Sequence, residues 1–67
     1  MNVLAQYREA LSLSRADLAR KLNTSRANIT RWENETRRPS PEKAREIELV
    51  TGIPRAKIRA DIFGDAA

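Results

Sequence analysis

Two arginines and an asparagine lie close together near the middle of the chain, at Arg26, Asn28 and Arg31. Their guanidinium and amide groups donate hydrogen bonds in a fixed planar geometry and are poor acids or bases at neutral pH, so they suit recognition better than catalysis. Ala27 lies about one helical turn before Arg31, and a helix that begins after Ser25 presents both on one exposed face. A rigid helix with a cationic, donor-rich outer face fits the major groove of double-stranded DNA.

We expect the exposed side chains of this helix to read base edges. Arg26 and Arg31 match the O6 and N7 acceptors of guanine, and Ala27 suits close contact with a thymine methyl group. Asn28 could read adenine, or it could point sideways toward a phosphate. Either arginine, taken singly, could equally hold a phosphate, so the division between base readers and phosphate contacts stays open at this point.

Polar and basic side chains on both sides of the predicted helix are suited to phosphate binding. Cationic side chains and the backbone N–H groups of helix N-termini both bind phosphate. The expected phosphate contacts are Arg15, Thr24, Ser25, Asn34, Arg37 and Arg38. A solvated loop is the alternative for the last two. Arg20 and Lys21 are weaker candidates for phosphate contact, and we favour their interpretation as a solvated face.

The basic charge is confined to the half of the chain that holds these residues. The chain has 67 residues and a formal net charge of +4. Residues 1–38 contain eight basic and four acidic residues, whereas residues 39–67 contain five of each and are neutral overall. This distribution indicates a polyanionic partner, although a basic face that serves only solubility is the alternative.

The composition excludes several kinds of chemistry. The chain contains no cysteine and no histidine, so disulfides, thiolate chemistry and the commonest metal ligand and general base are absent. Charge at Arg8 and Glu9 interrupts any signal-peptide core, and no apolar run approaches the length of a membrane span. We expect a soluble, cytoplasmic protein that is not an enzyme and needs no cofactor or metal.

The spacing of apolar and capping residues predicts an all-α fold of five short helices. The expected N-caps are Asn2, Ser14, Ser25 and Ser40. Asn23 and Gly52 lie where a helix ends on a left-handed residue. We expect one domain over residues 1–67, in which residues 1–38 contact DNA, residues 39–63 form the C-terminal helices and residues 64–67 fray.

Apolar residues at helical spacing predict the core and a second contact surface. Ile29 and Trp32 lie on the inner face of the recognition helix, which favours Trp32 as a core residue over a stacking platform for single-stranded bases. We expect an ion pair between Glu48 and Arg59. The candidates for a dimer contact are Leu49, Ile53, Ile62 and Phe63. Burial in the core of the same subunit is the alternative for these four.

One segment of the chain resembles the helix-turn-helix of the lambdoid repressor and Cro family. The matching residues are Leu13 to Leu22, Ser25, Ile29, Trp32, Glu33 and Asn34. The resemblance covers residues 1 to about 51, and residues 47–52 and 58–63 further resemble the ends of Cro-like regulators from lambdoid prophages. It implies a lambda-repressor-like domain with the helix-turn-helix at its second and third helices.

The resemblance also implies roles for particular residues. It places base readers at the same three positions, 26, 27 and 31, and an ion pair between Arg8 and Glu33 that fixes the tilt of the recognition helix. Ala60 stands where the ends of the Cro-like regulators have proline. The chain departs from the helix-turn-helix pattern itself at three positions. Asn23 replaces the usual turn glycine, and Thr24 replaces a small apolar residue. Glu35 replaces a frequent glycine after the recognition helix, which could lengthen that helix by one residue.

These observations favour a sequence-specific transcriptional repressor that binds a near-palindromic operator as a homodimer. One short recognition helix makes few base contacts, so useful affinity requires two half-sites about 34 Å apart on one face of the duplex. Within the same class, the antitoxin of a toxin–antitoxin pair or another prophage regulator is the alternative. In a different class, a basic protein–protein adaptor would meet an acidic partner with the same face.

Overall fold

The computed structural model describes residues 2–63, which contain helices and connecting turns but no strand. The helices are α1 (Val3–Ala10), α2 (Arg15–Lys21), α3 (Arg26–Asn34), α4 (Pro41–Thr51), α5 (Arg55–Ile58) and α6 (Ala60–Phe63). The predicted all-α fold is confirmed, with one helix more than the five expected. The extra helix arises because Arg59, at φ −129° and ψ 71°, leaves helical geometry between α5 and α6. The expected frayed tail, residues 64–67, lies outside the described residues.

Side-chain caps begin the four longer helices at the predicted residues. The Asn2 side chain accepts hydrogen bonds from two backbone N–H groups of α1. Ser14 and Asp17 form a reciprocal capping box, with Ser14 Oγ 3.0 Å from the Asp17 nitrogen and the Asp17 carboxylate 3.1 Å from the Ser14 nitrogen. Ser25 and Ser40 each accept from the backbone N–H three residues on, at 3.1 Å. Since helices this short are marginal alone, caps worth ~1 kcal/mol each help to fix where they start.

Left-handed residues close the turns between helices. Asn23 between α2 and α3 has φ 57°, and Gly52 after α4 has φ 79°. Glu35 also adopts the left-handed conformation, with φ 61°, so the expected lengthening of the recognition helix is wrong. The last carbonyls of α3 instead accept hydrogen bonds from residues that turn back, including the Glu35 N–H to Trp32 at 3.2 Å and the Thr36 N–H to Arg31 at 3.0 Å.

The core joins α1 to α4 and the segment that follows Gly52. Leu18, Ile29 and Ile47 are completely buried, and Trp32 is 7% exposed, which confirms its interpretation as a core residue. Ile53 is only 8% exposed. Of the two roles left open for Ile53, a dimer contact is wrong and burial in the core of the same subunit is confirmed, because the turn after α4 directs this side chain into the same hydrophobic cluster.

The C-terminal helices are held by different ion pairs from those expected. The predicted pair between Glu48 and Arg59 is wrong. Glu48 lies 3.6 Å from Arg55, which is one helical turn nearer to α4 along the chain. Arg59 instead faces Asp61 at 2.7 Å. In the part of the chain that the structure describes, no helix is long and apolar enough to cross a lipid bilayer.

Candidate nucleic-acid interface

The outer face of α3 carries the predicted base-reading side chains. Arg26, Ala27 and Arg31 are exposed, while Ile29 and Trp32 on the opposite face are buried. The buried pair packs α3 against α1 and α2, so the exposed pair of guanidinium groups is presented by a helix that cannot rotate freely. The fold thereby brings together the residues that the sequence placed on one face.

Asn28 is held more tightly than its neighbours on this face. Its amide nitrogen donates to Thr24 Oγ1 at 2.9 Å, and its amide oxygen accepts from Arg31 Nη1 at 3.3 Å. The side chain is half-buried. Asn28 therefore links the turn to Arg31, and a contact with a base or phosphate would have to replace or share these hydrogen bonds. Thr24, which departs from the apolar residue of the family pattern, receives a polar partner in this way.

Glu33 on α3 lies between two arginines from other helices. Arg8 on α1 contacts it through Nε to Oε2 at 2.7 Å and Nη2 to Oε1 at 3.2 Å, which is the bidentate ion pair expected from the sequence. Arg15 on α2 adds a third hydrogen bond, from Nε to Oε1 at 3.2 Å. The Glu33 side chain is 3% exposed and the Arg15 side chain 44%. One carboxylate thus ties α3 to both preceding helices, and the cluster keeps one unit of positive charge near solvent.

The pKa values of this cluster follow from its geometry. Burial opposes ionisation of Glu33, but hydrogen bonds from Arg8 and Arg15 outweigh it and lower the pKa of the carboxyl below its ordinary value. The hydrogen bond with Glu33 raises the pKa of Arg8 further above its already high value. Glu33 and Arg8 are therefore both charged at neutral pH.

The pairing of Arg15 with Glu33 is a feature that sequence reasoning missed. We expected Arg15 only as a phosphate contact, and its half-exposed guanidinium still reaches solvent while Nε is held by Glu33. A second missed feature is the link from Asn2 to the end of α3, where Asn2 Nδ2 donates to the Trp32 carbonyl at 3.1 Å. These partners lie 18 and 30 residues apart in sequence. No local spacing signals such contacts.

The remaining phosphate candidates border the exposed face of α3. Ser25 caps its N-terminus, Asn34 is its last residue, and Arg37 and Arg38 follow it; all four are exposed. Arg38 Nη1 lies 3.2 Å from Asp61 on α6, a contact that the sequence did not indicate. The basic loop after α3 is therefore attached to the C-terminal end of the described chain.

The four dimer candidates have different environments. Leu49 is 86% exposed and Ile62 is 47% exposed, whereas Ile53 belongs to the core. Phe63 is half-buried because the guanidinium groups of Arg45 and Arg55 lie over its ring, 5.5 and 5.3 Å from the centroid. Leu49 follows Arg45 by one helical turn, so the most exposed apolar side chain of α4 is next to the site where α6 packs.

Metal binding has no donor cluster among residues 2–63. No group of three acidic side chains lies close enough together there to hold an ion. The carboxylates described above are instead engaged with arginines. The exposed face of α3 offers hydrogen-bond donors and positive charge, supplied by Arg26 and Arg31.

Comparison with known proteins gives two findings. A model of the helix-turn-helix family matches residues 4–58. A protein of Methanobrevibacter smithii, named provisionally as an HTH-type transcriptional regulatory protein, is 41% identical over 61 residues, which are 91% of this chain. The chain spans only 18% of the length of that relative. No solved structure matches the chain.

Proposed function

Because the chain belongs to the helix-turn-helix family, we propose that it is a sequence-specific double-stranded DNA-binding regulator of transcription, acting in the cytoplasm as a Cro-like repressor. The observation that carries the proposal is the exposed face of α3. Arg26, Ala27 and Arg31 are exposed on a helix whose Ile29 and Trp32 are buried behind them. Bidentate arginine contacts with guanine are worth ~1–3 kcal/mol each in discrimination between bases.

Phosphate contacts on both sides of the recognition helix would set its position in the groove. Arg15, at the N-terminus of α2, would bind phosphates on one side of the groove, and Arg37 and Arg38, after α3, would bind those on the other side. Phosphates nearer to the recognition helix would be bound by Thr24, Ser25 and Asn34. The triad of Arg8, Glu33 and Arg15 supports this arrangement, because it fixes α3 against the helix whose N-terminus faces the backbone. Asn28 acts chiefly by holding Arg31 in place.

Binding as a dimer follows from the number of contacts that one helix makes. The Cα atoms span 34 × 21 × 21 Å. Two copies side by side therefore fit on two half-sites separated by about 34 Å, one turn of the duplex. We place the contact between copies at Leu49, with Ile62 and Phe63 at its edge, because Leu49 is the most exposed large apolar side chain in the described chain. Repression would then come from occupying the operator.

Selection of bound sequences from a pool of random duplexes tests the proposal. It is expected to return a near-palindromic site with half-sites one helical turn apart. A dimer with ~5 phosphate contacts per subunit gives a log–log dependence of affinity on salt with a slope near −9, and prefers its site by ~10³ or more over random duplex. Absence of both selection and salt dependence would refute DNA binding and favour a protein–protein adaptor. A selected sequence that also occurs in the promoter of the chain's own operon, together with co-purification of a tightly bound toxin, would favour the antitoxin alternative.

Two substitutions separate base reading from phosphate contact. Arg31→Ala is expected to relax base preference at one position in each half-site, whereas Arg38→Ala is expected to weaken all sequences equally and to flatten the salt dependence. Arg20→Ala is the matched control, since it removes the same charge from an exposed arginine that pairs with Asp17 on α2. Uniform weakening by both Arg31→Ala and Arg38→Ala would refute the assignment of Arg31 as a base reader.

A further inference from the structure

Arg59 lies in the C-terminal half of the chain, which has no net charge, yet its guanidinium reaches the basic loop after α3. Nη1 donates to the Pro39 carbonyl at 2.7 Å. Nε and Nη2 donate to the two carboxylate oxygens of Asp61 at 2.9 and 2.7 Å. Three donors of one planar group are thus used at once, and the Arg59 side chain is 16% exposed.

The same network holds both the backbone and the side chain of the loop. The Pro39 carbonyl belongs to the residue that follows Arg38, so Arg59 restrains the backbone beside Arg38. Asp61 Oδ2 lies 3.2 Å from Arg38 Nη1, so the carboxylate that Arg59 orients restrains the Arg38 side chain. Arg59 therefore restrains Arg38 in two ways, through the Pro39 carbonyl and through the Asp61 carboxylate.

The backbone of Arg59 is itself fixed at the junction of two helices. Its N–H donates to the Arg55 carbonyl at 2.8 Å and closes α5. Its carbonyl accepts from the N–H groups of Ile62 at 3.0 Å and Phe63 at 2.8 Å and opens α6. A guanidinium that projects from such a junction has little freedom, so it can hold a loop that would otherwise move.

The network restrains Arg38 without cancelling its charge. Arg38, Arg59 and Asp61 together carry one positive charge, and the two-point contact of Arg59 with Asp61 already neutralises that carboxylate. Hydrogen bonding to Arg59, with a smaller contribution from Arg38, lowers the pKa of Asp61 to about 2, so the arrangement persists at neutral pH. Arg38 makes one contact and its side chain stays 56% exposed. It remains available to a phosphate.

We infer that Arg59 is a positioning residue for DNA binding, which holds Arg38 and its loop in the orientation that contacts the phosphate backbone. The inference rests on the proposed function. It extends the DNA-binding apparatus beyond residues 1–38 to α5 and α6. The charge distribution alone gave these two helices no part in DNA binding.

The experiment uses Arg59→Lys in the full chain. Lysine keeps the charge but cannot bond two carboxylate oxygens and a carbonyl with one planar fork. Binding is measured to a duplex of mixed sequence over a range of KCl concentrations, because phosphate contacts do not depend on sequence. Loss of one phosphate contact in each subunit costs about eightfold in affinity per bound subunit at about 0.1 M salt. It also reduces the magnitude of the slope of log affinity against log salt by about 0.9 per bound subunit. We expect Arg59→Lys to weaken binding by about three- to eightfold per bound subunit and to reduce the magnitude of the salt slope by up to about 0.9 per bound subunit.

A matched control and a double variant make the test specific. Arg55→Lys makes the same replacement on α5, where the arginine pairs with Glu48 and does not contact the loop. It is expected to leave the slope unchanged. Arg59→Lys combined with Arg38→Ala is expected to bind no more weakly than Arg38→Ala alone, because Arg59 acts through Arg38. Additive losses would overturn the inference.

The other outcomes are equally decisive. Unchanged affinity and slope in Arg59→Lys, with normal binding by the unsubstituted chain, would overturn the inference and leave the proposed function intact. Tighter binding would overturn it too, since the network would then compete with phosphate for Arg38. No binding by the unsubstituted chain would refute the proposed function itself. If Arg59→Lys does not fold, Asp61→Asn replaces it. That variant removes one negative charge, which by itself favours DNA binding, so a shallower salt dependence supports positioning and a steeper one overturns it.

Discussion

Glu33→Gln is the substitution that tests most directly how the recognition helix is held. The change keeps the size of the side chain and its ability to accept a hydrogen bond, but it removes the charge that Arg8 and Arg15 share. In the structure the Glu33 side chain is 3% exposed, and the Arg8 side chain is 15% exposed. The substitution therefore leaves one largely buried guanidinium without its anion, whereas Arg15, at 44% exposure, can turn to water.

The expected loss of stability can be estimated from these contacts. The carboxylate accepts three hydrogen bonds through its two oxygens, whereas the glutamine amide has one acceptor oxygen, so at least one of these bonds is lost and the rest are made to a neutral acceptor. Removing one partner of a fully buried ion pair costs about 3–5 kcal/mol, and the exposure of Arg15 reduces this to about 2–3 kcal/mol here. A domain of this length typically has a stability of about 3–10 kcal/mol, so the loss is a large fraction of the total. It corresponds to a fall of roughly 10–20 °C in Tm.

The effect depends on pH with a defined sign. Arg8 and Arg15 hold the pKa of folded Glu33 below its ordinary value of 4.5 despite its burial. The carboxylate therefore stabilises the fold fully above pH 4.5, and this contribution is lost as the pH falls through the lower folded pKa. The difference in free energy of unfolding between the unsubstituted chain and Glu33→Gln is expected to be largest at neutral pH and to shrink below pH 4.5.

Urea unfolding at neutral and acidic pH measures both the loss of stability and its dependence on pH. Glu9→Gln is the matched control, because Glu9 is also near Arg8, at 3.9 Å, but its side chain is 54% exposed. Its loss is expected to stay within about 0.5 kcal/mol. Equal free energies of unfolding for Glu33→Gln and Glu9→Gln at pH 7 would refute the assigned role of the triad. The same role would be refuted if the difference in free energy of unfolding between Glu33→Gln and the unsubstituted chain did not change with pH.

Three further substitutions test separate features of the structure. Asn2→Asp keeps the acceptor that caps α1 but loses the donor to the Trp32 carbonyl, so unfolding in urea is expected about 0.5–1.5 kcal/mol easier; a neutral result would argue against that bond. Glu35→Gly relieves a non-glycine residue at φ 61° and is expected to stabilise the chain by about 0.5–1 kcal/mol, measured in the same way. Destabilisation would indicate that Glu35 is favoured by its contacts. Leu49→Lys changes a side chain that is 86% exposed, so stability is expected to stay within about 0.5 kcal/mol while dimers on DNA weaken in sedimentation analysis. Unchanged dimers would place the contact elsewhere.

Local pattern was enough to predict where the four longer helices begin. The caps at Asn2, Ser14, Ser25 and Ser40 depend on backbone groups within three residues, so their signal lies in the sequence itself. Helical spacing likewise predicted that Trp32 is buried. The pattern was misleading at Glu35, where the family glycine is absent, because the left-handed conformation there is imposed by the reversal of the chain toward α4.

The amino-acid sequence by itself determined where the four longer helices begin, which face of α3 is exposed and which half of the chain is basic. These properties arise from neighbours three or four residues apart and from composition. Only the tertiary structure decided which polar groups the arginines contact. Glu33 meets Arg15 as well as Arg8, Glu48 meets Arg55, and Arg59 meets the Pro39 carbonyl and the Asp61 carboxylate. A long, flexible arginine side chain has several carboxylates and carbonyls within reach, and the packing of the helices decides which of them it contacts.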